Sequence, residues 1–185
     1  APCGAFCCWV TNPFPLLHAL RARENSRMAL HPHPNDWRVS DAGLDLIKRF
    51  ERFSSRPYPH PCGLPAIGYG HLLRPIDQAL SRGVNFDQAE QLLREDVRIY
   101  EIYLNASCRV PIDQHEFDAL TSLLWDIGIL EYEGSTLRKM LHTVCKPLVC
   151  TALQQYGLPA ITRTDYRARR DAEAAMFASP SAPTP

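Results

Sequence analysis

No stretch of this 185-residue chain approaches the roughly 20 apolar residues that a membrane span requires. Residues 5 to 20 come nearest, and Asn12, Pro13 and Pro15 interrupt them. They do not read as a secretion signal either, since Arg21 and Arg23 follow the apolar part instead of preceding it. Net charge is lacking too. Twenty Lys and Arg balance twenty Asp and Glu, so no overall field draws the chain to nucleic acid. Seven cysteines, an odd number, cannot close a disulfide framework within one chain, and no pair of CxxC units is present. Reduced thiols are expected in preference to a Cys145–Cys150 link. They are preferred also to a metal site of Cys3, Cys7 and Cys8 with His31 and His33, whose spacing fits no common zinc module. There is no internal repeat, and the glycines of Gly68-Tyr69-Gly70-His71 lack the spacing of a phosphate loop. What remains is a globular chain, 45% hydrophobic and 22% charged, long enough for one domain with tails. Neither a metal nor a cofactor is expected.

The charge that is there is unevenly spread. Val84 to Glu133 holds three basic and eleven acidic residues, whereas Gly134 to Phe177 holds seven basic and three acidic. Such polarity suits an anionic polymer, and it suits a solvated charged face equally well.

Residues 1 to 39 carry prolines at 2, 13, 15, 32 and 34 and show no sustained period, so they read as an irregular tail. Met28 offers a natural beginning, which would place residues 1 to 27 upstream of it; the rival reading is a short accessory tail. From Ser40 the pattern becomes regular. Ser40 is a good N-cap, and Leu44, Ile47 and Glu51 recur at helical spacing, which delivers Glu51 on the buried side near the helix end. Prolines at 57, 59 and 61 fall on alternate positions, which suits an edge strand or polyproline II and excludes a central strand. Asn85 with Gln88 forms a capping box opening one long helix through Tyr100, expected to link two lobes. Asp113 with Glu116 forms another, opening an apolar helix that stops at Gly128. Helices are further expected from Ser135, through Leu148 to Leu153, and from Arg163 to Phe177. Trp125 reads as core rather than as a sugar platform.

Glu51 sits between Phe50 and Phe53, where desolvation could raise a carboxyl pKa toward the range of a general acid. The run GLDLIKRFE, followed by Tyr58 and then IGYGH, resembles the phage-type endolysin family, glycoside hydrolase family 24. Fourteen positions from Gly43 to His71 keep the family's spacing. The resemblance resumes at Pro111 to Gln114, Phe117 to Leu120, Gly128 and Ser135 to Lys139, and closes at Arg169 to Glu173 with Phe177. It covers residues 40 to 178, leaving 179 to 185 as a disordered tail. It implies an α+β protein, predominantly helical, with a lysozyme-like two-lobed fold and a small β-region in the N-terminal lobe.

The resemblance also implies the chemistry. A monomeric enzyme would hydrolyse the β-1,4 bond between N-acetylmuramic acid and N-acetylglucosamine in peptidoglycan, with Glu51 as general acid. Tyr58, Ala66, Tyr69, His71, Arg169 and Arg170 occupy supporting or substrate-binding positions, with Arg169 or Arg170 pairing Glu51. Such a protein waits in the host cytoplasm before release to the wall or periplasm. Three positions depart from the family. His60 stands where it has an aspartate, Ala66 where it has a threonine that helps hold the attacking water, and Arg52 where it has a glycine. These exchanges predict weakened hydrolysis, with His60 taking the proton from water. Two other readings stay open: a lytic transglycosylase, which needs a single glutamate, and a lysozyme fold that only binds glycan or protein.

Overall fold

A computed structural model describes residues 36–143, 146–157 and 164–180. The expectations for residues 1 to 35, for Cys145 and for residues 181 to 185 lie outside these. The order of elements is α1 (Asp41–Glu51), β1 (Ser54–Pro59), β2 (Pro65–Gly68), β3 (His71–Leu72), a 3-10 segment (Pro75–Arg82), α2 (Phe86–Asp96), α3 (Arg98–Ser107), α4 (Gln114–Ile127), α5 (Ile129–Gly134), α6 (Thr136–His142), α7 (Lys146–Gln155) and α8 (Thr164–Phe177). This is the predominantly helical α+β build expected, with one small sheet near the N-terminal side.

Helix α4 forms the hub of the larger lobe. Its residues Glu116 to Leu124 are all buried, which a helix can sustain only when its polar groups find partners inside. Thr121 donates to the carbonyl of Phe117 at 2.9 Å, and Ser122 donates to Glu173 at 2.7 Å. Around α4 gathers the largest apolar cluster, which includes Leu104, Phe117, Leu120, Leu123, Leu124, Tyr132, Leu153 and Phe177. Each such side chain, fully buried, contributes about 1.5–3 kcal/mol before the entropic costs of ordering it.

Helix α1 crosses the hub at close range. A side chain at Gly43 would meet Asp118 at 2.8 Å and Val39 at 2.6 Å, so only glycine permits this approach. Asp118 then holds the helix start: it accepts from the backbone N–H of Ser40 at 2.9 Å, from the Ser40 hydroxyl, and from Gln114 at 2.8 Å. Ser40 caps the first turn by accepting from Gly43 N–H at 3.3 Å. The segment before it, assigned by sequence to the tail, is bound as well. Trp37 and Asn105 exchange two hydrogen bonds, the Trp37 ring stacks on Phe117, and Glu101 accepts from Val39 N–H at 2.8 Å.

The smaller lobe holds an antiparallel sheet in the order β1-β2-β3, so β1 is an edge strand as its prolines require. Tyr58 pairs with Ala66, Ala66 with Leu72 and Ile67 with His71, and a bulge lies between Ser54 and Tyr58. On its outer side β1 accepts a bond from outside the sheet, Val84 N–H to Ser55 O at 2.9 Å. The lobe core is Ile67, Leu73, Val84 and Ala89.

Both capping boxes form. Asn85 and Gln88 exchange bonds of 2.9 and 2.8 Å, and Glu116 accepts from Asp113 N–H at 2.8 Å. The single long helix expected after Asn85 is instead two. They meet at Val97, whose ψ of −15° tightens the turn, and the N–H of Tyr100 bonds the Val97 carbonyl three residues back. A third core, of Val39, Leu44, Ile47, Leu93 and Val97, lies between those of the two lobes; Tyr69 packs on it and on the small-lobe core, and Trp125 joins it to the large one. Those two rings connect the lobes.

Candidate active site

Glu51 is the last residue of α1, and its side chain is 8% exposed where the two lobes meet. The N–H at Nη1 of Arg169, on α8, donates to its Oε1 at 2.7 Å. Arg169 is itself held on every side. Its Nε donates to Glu173 at 3.2 Å, its Nη2 to the carbonyl of Ser122 at 3.1 Å, and its Nη1 also lies 3.5 Å from Asp126 Oδ1. Burial works against the charge of this guanidinium, but Asp126, Glu51 and Glu173 outweigh it and raise its pKa further. Arg170 takes a different place from its neighbour: its Nη2 donates to Asp126 Oδ2 at 2.9 Å and to Glu173 at 3.0 Å. Complete burial pushes the Glu173 carboxyl up, against the pull of Arg170 and Arg169.

Of the two arginines named from sequence, then, Arg169 reaches Glu51 and Arg170 supports the network behind it. Asp126 escaped the sequence reading, and Glu173 entered it only as the end of the matching run, with no role. Glu173 had a usable signal, since it lies four residues after Arg169 and three after Arg170 on one helix face. The phenylalanines beside Glu51 turn elsewhere. Phe50 lies against the guanidinium groups of Arg49 and Arg169, and Phe53 stacks on Phe86 at 4.1 Å.

The second oxygen of Glu51 faces the small lobe. Gly70, at φ 100°, forms the turn before β3, and a Cβ there would lie 3.7 Å from Glu51 Oε2 and 3.6 Å from the Trp125 ring. Directly after the glutamate, Arg52 holds φ 58° and ψ 137°. It is the sole non-glycine residue with positive φ among the described residues, in a region nearly exclusive to glycine.

His60 lies just past β1 and is buried. The N–H of Cys62 points at its Nδ1 from 3.3 Å, and the Cys62 sulfur lies 2.9 Å from the same atom. A peptide N–H can only donate, so Nδ1 is the acceptor and the ring proton sits on Nε2. Burial lowers the His60 pKa, with the charge of Glu51 opposing, which favours the neutral ring. The nitrogen able to take a proton from water is thus already engaged, and the ring meets its surroundings as an N–H donor. Ala66 is wholly buried between Tyr58 and Leu72. Tyr69 serves packing, with its ring 5.7 Å from Phe53. His71 is buried and bonded to Asp96 at 2.8 Å, a contact that ties β3 to α2.

Among the described residues, Asp113, His115 and Glu116 gather three possible metal-binding atoms within 4.8 Å. Lys146 already fills the cation's role there, donating to Glu116 at 2.7 Å. Among the described residues, Cys62, Cys108 and Cys150 form no disulfide. No helix among the described residues is long and apolar enough to cross a membrane.

The phage lysozyme family profile matches residues 48–173. An endolysin of Acyrthosiphon pisum secondary endosymbiont phage 1 is 37% identical over 104 residues, 56% of this chain and 69% of the relative. The endolysin of Salmonella phage P22 is 31% identical over 106 residues, 56% of this chain and 73% of its own. Among solved structures, an endolysin from Escherichia coli O157:H7 phage FAHEc1 superposes with a TM-score of 0.66 at 30% identity, covering 78% of this chain and 95% of that one. The muramidase domain of SpmX from Asticaccaulis excentricus gives 0.68 at 27% identity, covering 78% and 99%. With the profile spanning most of the chain, and a buried glutamate clamped by an arginine where a small sheet meets a helical lobe, this chain belongs to the phage lysozyme family.

Proposed function

We propose that the chain degrades peptidoglycan by hydrolysing the β-1,4 bond between N-acetylmuramic acid and N-acetylglucosamine, with Glu51 as the general acid. The observation that carries this reading is the placement of Glu51: buried at the meeting of the lobes, one oxygen on Arg169 and the other toward the glycine turn at Gly70. A general acid needs such partial enclosure together with one oxygen directed at its substrate. Tyr58, Ala66, Tyr69, His71 and Arg170 support that arrangement through packing and hydrogen bonds rather than chemistry. The reading also carries a monomer acting on glycan strands, kept in the host cytoplasm until release to the wall or periplasm, as the family resemblance implies.

A turbidity assay on peptidoglycan-exposed cells tests the assignment. Glu51→Gln keeps the shape and removes the proton, and lysis should fall at least ~100-fold. A variant that lyses as fast as the parent would remove Glu51 from the role. The occupied Nδ1 of His60 and the buried Ala66 leave the attacking water without the family's usual holders, which keeps a lytic transglycosylase in view. Mass analysis of the released fragments separates the two, because an intramolecular attack leaves an anhydro product lighter by one water.

A further inference from the structure

Arg169 has three donor nitrogens, and two of them have one acceptor each: Nε bonds Glu173 and Nη2 bonds the Ser122 carbonyl. Nη1 donates to Glu51 Oε1 at 2.7 Å and makes an ion-pair contact of 3.5 Å with Asp126 Oδ1. We propose that Asp126 is a positioning residue for the reaction, a second carboxylate to which Arg169 transfers its Nη1 bond when Glu51 takes up a proton. This rests on Glu51 being the general acid.

Two demands on Glu51 conflict. An ion pair to a guanidinium favours the ionised carboxylate, whereas a general acid must carry a proton before it donates one. With Glu51 protonated, Nη1 would lose its charged hydrogen-bond acceptor, which is costly in a side chain only 6% exposed. Asp126 resolves the conflict without moving the helix. The Nε and Nη2 bonds hold one edge of the guanidinium as a pivot, and a small tilt about that edge shifts Nη1 from one carboxylate toward the other. Asp126 is ready to receive it, since Arg170 anchors its other oxygen at 2.9 Å. When Glu51 gives its proton to the leaving oxygen it becomes charged again, and Nη1 returns.

Other charged groups among the described residues lie on the elements that pack around Glu51. From α8 they are Arg169, Arg170 and Glu173, from α4 Asp126, and from the loop after β1 the buried ring of His60. On α1 itself Lys48 pairs with Asp45 and with Glu90 of α2, Arg49 lies on Phe50, and Arg52 is exposed. Only Asp126 shares an Arg169 nitrogen with Glu51 among these.

The test compares parent, Asp126→Asn and Asp126→Glu in full-length protein. Two readouts run in parallel: the pH profile of peptidoglycan hydrolysis, and the titration of Glu51 followed by carbon-13 NMR of its carboxyl. Asp126→Asn should move the alkaline limb of the profile, and the Glu51 titration, down by about one pH unit, because Arg169 then favours ionised Glu51. Asp126→Glu should return both toward the parent. A uniform fall in rate with both curves unmoved would make Asp126 merely structural and overturn the proposal. A Glu51 titration moved by Asp126→Asn, in a protein whose parent cleaves no glycan, would uphold the shared pairing while overturning the hydrolase reading. If Asp126→Asn does not fold, an Asp126→Glu titration displaced well away from the parent's would equally count against it.

Discussion

His71 and Asp96 lie 2.8 Å apart, Nδ1 to Oδ2, and through that contact the last strand of the sheet is fastened to α2. Burial opposes a charge on the ring, but Asp96 and then Asp77 outweigh it, so the His71 pKa stands above its ordinary 6.5. A histidine raised in the folded state stabilises fully below its unfolded pKa, and that stabilisation is lost as pH rises through the folded value. Asp96→Asn should therefore cost about 1.5–3 kcal/mol near pH 5.5 and clearly less near pH 9. Thermal unfolding at the two pH values measures it; an equal loss at both would show that the pair carries no charge.

Arg52→Gly should stabilise the protein. Relief of the backbone strain is worth about 1–3 kcal/mol, and the added chain entropy of glycine returns about 0.5–1 kcal/mol of that. The melting temperature should rise by a few degrees. A fall would mean that the Arg52 side chain, exposed beside Glu51, holds something worth more than the strain.

Gly70→Ala should damage activity more than stability. At its φ of 100° the new side chain costs about 1–2 kcal/mol in the fold. It also narrows the space at Glu51 Oε2, where its Cβ would stand 3.7 Å away. Hydrolysis, assayed well below the melting point, should drop at least ~10-fold, as expected when reacting groups are displaced by about 1 Å. Unchanged turnover would show that substrate does not approach Oε2 from the turn.

Asp118→Ala should be the most destabilising of these changes. It removes the acceptor of the Ser40 N–H, the Ser40 hydroxyl and the Gln114 amide in a buried place. The cost should be about 2–4 kcal/mol, lowering the melting temperature by about 2–4 °C for each kcal/mol. Denaturant titration checks it, and a loss below ~1 kcal/mol would mean that water replaces the carboxylate.

What could be read in the chain was whatever its near neighbours decide. The Ser40 cap, the two capping boxes and the proline rhythm of β1 are each settled within a few residues, and each is found in place. The register of Glu51 on α1 belongs with them. The break at Val97 was not legible, because no glycine or proline marks it and valine itself adopts the tighter turn. Asp126 was hidden for a different reason: its role exists only once α4 and α8 are packed, which brings together groups far apart in the chain. The pairing of Glu51 with Arg169 spans 118 residues, and only the family resemblance could suggest it. His60 was read by its ordinary titration, whereas a local peptide N–H decides which nitrogen is available. Trp37 looked like tail because its partners, Asn105 and Phe117, sit on α3 and α4.

The outer side of β1 has a bearing on how the protein behaves in a crowd. An edge strand with open donors is a template on which a second chain can add, and repeated addition builds aggregates. Here Val84 already occupies the carbonyl of Ser55, and Pro57 and Pro59 have no N–H to offer an incoming strand. A sheet of three strands, one of them only two residues long, thereby presents little for another copy to extend. The prolines that make this stretch unusual in sequence thus deny β1 the donors that an added strand would need.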